Sequence, residues 1–205
     1  MKRIDELTVW NNFVSTRCIL SEVELDTIKA QFSEENCIDA GIGSSDSNIS
    51  VDREYRSSKI MFITSQKYEN TPIWELVQKI HTQISDINEK HFKFDLSYCE
   101  HMQLTQYSAS YKGEYNFHAD SFATSGNILR KLSFIIPLSY CDEYEGGELL
   151  FKLSKDEINV KRDNPSLVDK RQIIVFPSHL LHAITPVTEG IRYSLVGWVN
   201  GPRFK

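Results

Sequence analysis

Phe176-Pro177-Ser178-His179-Leu180-Leu181-His182-Ala183-Ile184-Thr185-Pro186 is followed after three residues by Gly190-Ile191-Arg192-Tyr193-Ser194-Leu195-Val196-Gly197-Trp198. Both stretches are short, apolar and cut by proline or glycine, as strands of a β-rich domain are. Working outward, the same texture runs back through Arg171 to Pro186 (broken at Pro177), Glu148 to Leu153, Lys131 to Leu138 and Tyr115 to Phe122. It reaches Glu100 to Tyr107, where Met102 and Leu104 share a face. Gly146-Gly147, Asn164-Pro165 and Glu189-Gly190 supply the turns. From about residue 94 the chain reads as many short strands at near-regular spacing.

Before that point the period changes. Ser21-Glu22-Val23-Glu24 is a capping box, with Leu25, Ile28 and Phe32 at helical spacing after it, so a helix is expected over about 21 to 35. Thr71 before Pro72 supplies an N-cap and an N1 proline, and Ile73, Val77, Ile80, Ile84 and Ile87 recur every three or four residues. That predicts a helix over about 72 to 90. Ala40 to Ser50, rich in Gly, Ser, Asp and Asn, reads as a loop. Helices first and strands afterwards predict an α+β protein, mainly β: a helical layer packed on a β-sandwich, with jelly-roll topology favoured. The division expected is 1–94, a helix-containing region packed on the core, and 95–202, the β core.

The 205 residues form one large domain or a core with an added layer, long enough to bury about 70% of the unfolded surface. Composition is 40% hydrophobic, 11% aromatic and 25% charged, which excludes disorder and fibrous repeats. Twenty-eight acidic against twenty-three basic residues give a net charge of -5, the wrong sign for binding phosphates. Cys18, Cys37, Cys99 and Cys141 contain no C-x-x-C pair and read as reduced, mostly buried thiols. No apolar segment follows Met1-Lys2-Arg3 and no run is long enough to span a bilayer, so the expectation is a cytoplasmic protein without nucleic-acid or membrane partners.

Tyr115-Asn116-Phe117-His118-Ala119-Asp120 puts an imidazole and a carboxylate two residues apart, on one face of a strand and able to chelate. His182 lies in an apolar strand with no neighbouring charge, and a buried histidine needs a partner. Arg192 is one cation among apolar residues. An antiparallel hairpin turning about Val187 and Thr188 would set His182 opposite Arg192. Two histidines and one carboxylate form a facial triad with three open positions, the arrangement of non-haem Fe(II) that binds a cosubstrate and O2, while the arginine offers a bidentate fork for a far carboxylate. His179 competes with His182, but three residues along a strand it faces the other way and is assigned to the surface. His81, His91 and His101 lack carboxylates at ligand spacing and are expected in solvent.

Tyr107, His118-x-Asp120, Gly146-Gly147-Glu148-Leu149, Phe176-Pro177, His182 and Arg192 with Ser194 and Trp198 resemble the 2-oxoglutarate- and Fe(II)-dependent dioxygenases, in their prolyl 4-hydroxylase-like branch of bacterial and phage type. The resemblance covers about 95 to 202. It implies a double-stranded β-helix (jelly-roll) core, with iron held by His118, Asp120 and His182. It also implies that Arg192 binds the distal carboxylate of 2-oxoglutarate and that Tyr107 donates to the same cosubstrate. Trp198, on the face of Arg192, falls near the pocket or packs in the core. Tyr115 matches a tyrosine near the family's active site, although strict alternation points it away from His118 unless a bulge intervenes. Arg56, within Arg53 to Ser58, resembles the approach to a mobile loop over the site, making 52–70 a candidate lid; a solvated charge run is the other reading. Glu148 is read as structural.

By this resemblance the chain is expected to be a hydroxylase that couples O2 activation and decarboxylation of 2-oxoglutarate to succinate with hydroxylation of a substrate C–H bond, with Val196, Leu132 and Phe134 as a dry wall. The first expectation is a prolyl residue of a peptide or protein; ascorbate is admitted as an accessory by the resemblance. Another protein side chain or a free amino acid stays open. A nucleic-acid demethylase is disfavoured by the charge and by Trp198, which stands where demethylases carry a second arginine. A non-catalytic jelly-roll binding module is the alternative of another class. Oligomeric state is not legible.

Overall fold

The computed structural model describes residues 7–10, 13–41, 51–121, 123–125, 127–153 and 156–203. The strands are β1 (Leu7–Trp10), β2 (Phe13–Arg17), β3 (Ile38–Asp39), β4 (Arg56–Ser57), β5 (Lys59–Ile63), β6 (Tyr98–Cys99), β7 (Met102–Ser108) and β8 (Glu114–His118). They continue with β9 (Ala123–Ser125), β10 (Ile128–Pro137), β11 (Tyr144–Gly146), β12 (Leu149–Leu153), β13 (Asp156–Asn159), β14 (Gln172–Pro177), β15 (Leu181–Ile184) and β16 (Val187–Pro202). Helices are α1 (Glu22–Lys29), α2 (Ser65–Tyr68), α3 (Pro72–Ile87) and α4 (Val160–Asp163).

Two antiparallel sheets face each other. The larger runs β1-β2-β14-β10-β16-β7-β5-β3, with β6, β9 and β11 attached to it, and the smaller runs β13-β12-β15-β8-β4. This is the α+β double-stranded β-helix with its helical layer. The apolar runs of β10 and β14 are nearly continuous because both faces of the large sheet are covered. Leu132, Phe134, Ile136, Ile173 and Val175 pack toward α1 and α3, against Ile28, Val77, Ile80 and Ile84. Ile135, Ile174 and Phe176 point between the sheets to meet Phe151 and Phe13. Phe13 stacks on Phe151 at 4.7 Å, and Phe176 meets Phe151 edge-on at 5.0 Å.

The large sheet does not stop at residue 94. β2 pairs with β14 and β5 with β7, so the N-terminal region supplies strands as well as helices. Within the candidate lid 52–70, β5 is such a paired strand and buries Ile60, Met61 and Ile63; it is part of the wall. Arg56, just before it, borders the cavity between the sheets. Of the expected loop at 40–50, residues 42–50 lie outside those described.

Both helices end earlier than their apolar spacing suggests. After Lys29 the hydrogen bonds tighten to Gln31 N–H→Ile28 O and Phe32 N–H→Lys29 O, which lays Phe32 edge-on against Tyr193 at 5.4 Å. α3 ends at Ile87 in a π turn, Asn88–Phe92, closed by Lys93 at φ 56°; the Asn88 amide bridges the backbone N–H and C=O of Phe94. Thr71 precedes α3 without capping it, since its hydroxyl donates to Tyr68 O at 2.6 Å.

The expected hairpin between His182 and Arg192 does not form. Thr185 and Pro186 carry the chain from one sheet to the other: β15 pairs with β12 and β8, whereas β16 pairs with β10, β7 and β11. His182 therefore lies opposite Phe151 and His118, and Arg192 opposite Tyr107. The four cysteines are free thiols; Cys18 is buried and the others half-buried. Among the described residues no helix is long and apolar enough to cross a membrane.

The capping box is formed. Glu24 N–H donates to Ser21 Oγ at 3.3 Å, and Ser21 N–H donates to the Glu24 carboxylate at 2.7 Å, which also ties α1 to Lys79 of α3. Ser21→Ala is expected to lower unfolding free energy by about 1 kcal/mol with an unchanged slope in urea denaturation.

Candidate active site

His118 ends β8 and lies directly opposite His182 of β15. Two residues on, Ile184 faces Tyr115, so three steps of β8 match two of β15. This extra residue is the bulge that alternation required, and it turns Tyr115 to the histidine side. The Tyr115 ring stacks on the His118 imidazole at 3.5 Å with 16° between planes. Arg56 of β4 lies over the other side of the assembly, its guanidinium 4.4 Å from the Tyr115 centroid and its Nε–H donating to Ser58 Oγ at 3.0 Å. Arg56 is buried, which removes the reading of a solvated charge run for this residue.

Asp120 lies beyond the end of β8, so the period of two does not place it. Two backbone bonds do: the N–H groups of Asp120 and Ser121 both donate to Ser178 O, at 2.8 and 2.9 Å, in the turn between β14 and β15. The Ser133 hydroxyl donates to Asp120 Oδ2 at 2.7 Å, which leaves the Ser178 hydroxyl to donate to Ser133 at 3.0 Å. Trp198 lies opposite Ser133 across β10 and β16, and its indole helps hold the Asp120 carboxyl low.

His118, Asp120 and His182 offer three ligand atoms within 4.8 Å of one another. His118 Nε2 is 3.6 Å from Asp120 Oδ1, and His182 Nε2 is 3.5 Å from Oδ2. Each Nδ1 faces a backbone carbonyl, Asn116 O at 2.8 Å and Leu180 O at 3.0 Å. Those carbonyls hold the proton on Nδ1 and turn the Nε2 lone pairs inward, the outer-shell arrangement of ligating histidines. Burial pushes the His118 imidazole well below its usual range, and neighbouring His182 adds to the effect. Burial alone would raise the Asp120 carboxyl, but His182, His118, the bond from Ser133 and the Trp198 indole outweigh it and hold it low. Two imidazoles and one carboxylate, pre-aimed at one point, fit a first-row divalent metal and suit Fe(II) in particular.

The triad opens on a cavity of about 760 Å³, lined also by Tyr107, Tyr115, Arg56, Trp198 and Val196. Leu132, expected in this wall, belongs to the helix-side cluster because the strand period turns it outward; Ser133 and Ile135 take the inward places, and Phe134 contributes to the lining. Arg192 is next to Tyr107, its guanidinium 5.5 Å from the ring centroid, and donates to Ser194 Oγ at 3.3 Å. It is not itself among the lining side chains, so access to it runs past Tyr107. It is 5% exposed, and among the described residues no carboxylate comes within ion-pair distance of it. Gly147, at φ +58°, leaves the space it fills: a Cβ there would lie 2.9 Å from Arg192 Cδ.

His179 is exposed, as its offset from His182 predicts, and His101 is exposed at the cavity. His81 and His91 are half-buried and not solvated; each has an Nε2 without a hydrogen-bond partner. Sequence reading misses Ser133, Ser178, Arg130 and Glu100. A lone hydroxyl inside the apolar Leu132 to Leu138 run is the available signal for Ser133; the others depend on which strands meet.

Residues 102–200 match the family model of the 2OG-Fe(II) oxygenase superfamily. These residues belong to that superfamily. Its name specifies the two small molecules, 2-oxoglutarate and Fe(II), that the triad and Arg192 suit. The chain is similar to a PKHD-type hydroxylase of Synechococcus sp. (strain CC9605), 39% identical over 95 residues, which is 45% of this chain and 40% of that protein. It thus spans less than half the length of this curated relative. Likeness of fold to solved structures extends across almost the whole chain. A prolyl-4-hydroxylase of Pseudomonas putida superposes with a TM-score of 0.69 at 18% identity, covering 94% of each chain. A prolyl hydroxylase of Trichoplax adhaerens, solved with a hypoxia inducible factor peptide fragment, gives 0.69 at 18% identity, covering 92% of this chain and 83% of that one.

The depressed His118 has a consequence for acid stability. Its ordinary value is 6.5, and an unfolded chain takes up a proton there that the folded metal-free protein refuses. Stability is therefore fully present above pH 6.5 and is lost as pH falls. Urea unfolding of metal-free protein between pH 6.5 and 4.5 should show a loss of roughly 1 kcal/mol per pH unit, and His118→Gln should flatten that slope.

Proposed function

We propose that the protein is an Fe(II)- and 2-oxoglutarate-dependent hydroxylase acting on a prolyl residue of a peptide or protein. The observation that carries this reading is the joint one: three ligand atoms converge in one cavity, and against its Tyr107 lies a buried guanidinium with no carboxylate partner among the described residues. A buried, unneutralised cation favours an anion strongly, and its fork matches a carboxylate.

In this reading His118, Asp120 and His182 hold the metal, and Arg192 binds the distal carboxylate of 2-oxoglutarate. Tyr107, its cross-strand neighbour, donates its hydroxyl to the cosubstrate. Bound iron would supply the activation of O2 that couples decarboxylation of 2-oxoglutarate to succinate and CO2 with hydroxylation of a C–H bond. The protein orients both ligands and keeps water out with Val196, Ile135, Phe176 and the Tyr115 ring. Asp120 favours hydroxylation over halogenation, since a halide needs the position a carboxylate fills.

The peptide or protein substrate is supported by the mouth of the cavity. Ile38, Val51, Phe62 and Tyr98, four of the eight large hydrophobics exposed among the described residues, all border it. A free amino acid would leave that apolar rim in water. Arg56, Tyr115 and Trp198 are the side chains nearest a substrate there. The peptide bound by the Trichoplax relative supports the same class. A cytoplasmic setting is part of the proposal, supported by four unpaired thiols.

The test is anaerobic addition of Fe(II) and 2-oxoglutarate, followed by the weak visible metal-to-ligand absorption, then O2 with proline-containing peptides and succinate detection. Absorption with intact protein supports the cosubstrate assignment and its absence removes it; absorption without peptide turnover removes only the prolyl substrate. His182→Ala is expected to abolish turnover. Arg192→Ala should retain metal while raising the 2-oxoglutarate concentration for half-maximal rate by roughly 10- to 100-fold.

A further inference from the structure

The two histidines are not held equally by their own sheet. His182 lies in β15, which pairs on one side with β12 and on the other with β8. The carbonyl facing its Nδ1, Leu180 O, belongs to a turn closed by Leu180 N–H→Pro177 O at 2.9 Å. His118 ends β8 beside the bulge, where Asn116 and Phe117 together face the single residue Ala183 of β15. On the other edge β4 pairs with Glu114 and Tyr115 and goes no further. The ladder therefore stops short of Asn116, whose carbonyl faces His118 Nδ1 at 2.8 Å.

The chain just before β4 fills that gap. Asn116 N–H donates to Tyr55 O at 2.9 Å, Asn116 Nδ2 donates to Glu54 O at 3.1 Å, and the Tyr55 hydroxyl donates to Phe117 O at 2.7 Å. The peptide group that carries the Asn116 carbonyl is thus tied on both flanks. Tyr55 also meets the Tyr115 ring edge-on at 5.9 Å, and that ring stacks on the His118 imidazole at 3.5 Å. One residue bears on His118 by two routes, one to its Nδ1 and one to its face. The sequence prepares this contact locally: Asp52 Oδ1 accepts from the N–H groups of Glu54 and Tyr55 at 3.0 and 3.2 Å, an Asx turn that shapes the segment where it meets β8.

The tie matters because the His118 proton has a second place to go. Asp120 Oδ1 is 3.6 Å from His118 Nε2 and, in the metal-free protein, competes with Asn116 O for it. A proton on Nε2 removes the lone pair that a metal needs. Resting on the function proposed for this site, we propose that Tyr55 is a positioning residue for the metal centre: through Phe117 O and Asn116 N–H it holds the Asn116 carbonyl against His118 Nδ1 and so keeps Nε2 free. The effect falls on His118 and spares His182, whose carbonyl lies in the turn between β14 and β15. That asymmetry distinguishes positioning from a general loosening of the sheet.

The experiment uses the full chain with Tyr55→Phe, which removes the hydroxyl and keeps the ring. In the metal-free protein in mildly alkaline buffer, long-range 1H–15N correlation of the imidazoles reads each histidine's tautomer separately. His118 should move from the Nδ1–H form toward Nε2–H while His182 stays in place. Calorimetric Co(II) affinity should fall about 3- to 10-fold, and further in Tyr55→Ala, which also removes the ring. In turnover, the KM for 2-oxoglutarate should stay within about twofold, because Tyr107 and Arg192 stand on the other sheet. Should circular dichroism show Tyr55→Phe unfolded, Asn116→Ala, at an exposed position, loses the tie to Glu54 and makes the same test. Wild-type Co(II) affinity, or an unmoved His118 tautomer, would overturn the positioning role, and so would equal movement of both histidines. Absence of Co(II) binding by the wild-type protein would instead overturn the metal centre on which the role rests.

Discussion

A carboxylate sealed between two sheets is the constraint around which the site is arranged. Asp120 lies in a stretch that belongs to no regular strand, and it is retained by hydrogen-bond partners from the large sheet and the turn that leads from it: the Ser178 carbonyl accepts from its backbone N–H, and Ser133 donates to its side chain. The histidines come from the small sheet, side by side on β8 and β15. Ligand geometry is therefore a property of the gap between sheets. A shift of one sheet against the other would separate the carboxylate from the imidazoles. Packing of Phe13, Phe151 and Phe176 at 4.7 and 5.0 Å opposes such a shift, because interdigitated rings have no continuous path along which to slide.

The two faces of the large sheet have separate duties. Toward α1 and α3 it presents mainly apolar side chains, with Gln106 bonded to the Tyr193 hydroxyl at the edge of that face, and its helices stiffen it from behind. Toward the small sheet it presents Tyr107, Ser133, Ser194, Arg192 and Trp198 among the aliphatics, polar groups that are tolerated there because they satisfy one another or face the cavity. Strand alternation produces this division without further devices: each residue on one face is followed by one on the other. The two glycines at positive φ, Gly146 ending β11 and Gly147 after it, fit the same scheme, since Gly147 clears the space occupied by the Arg192 side chain.

Much of this arrangement is visible in the chain. The capping box at Ser21 and the isoleucine spacing of α3 are local signals, decided within one or two helical turns, and both helices are present although their ends are set by Phe32 and Asn88 contacts that no local rule contains. His118-x-Asp120, His182 and Arg192 stand out because charge or imidazole in an apolar strand demands a partner. The hairpin joining His182 to Arg192 is the wrong inference from correct residues: proximity in sequence suggests pairing, whereas the chain changes sheets at Pro186. His81 and His91 read as solvated because nothing local signals that packing half-buries them.

Residue types, strand and helix periods and the turn glycines follow from the sequence alone, since each is governed by interactions between neighbours along the chain. Which strands lie side by side is governed by long-range burial. Only that decided that Tyr115 stacks on His118 through a bulge, that Ser133, opposite Trp198, meets Asp120, and that Arg130 reaches Trp198 with Glu100 behind it. The candidate ligands stand out in the sequence because their chemistry is unusual in a strand; the groups that hold them in place are ordinary serines and backbone carbonyls, given meaning by the neighbours that folding brings to them.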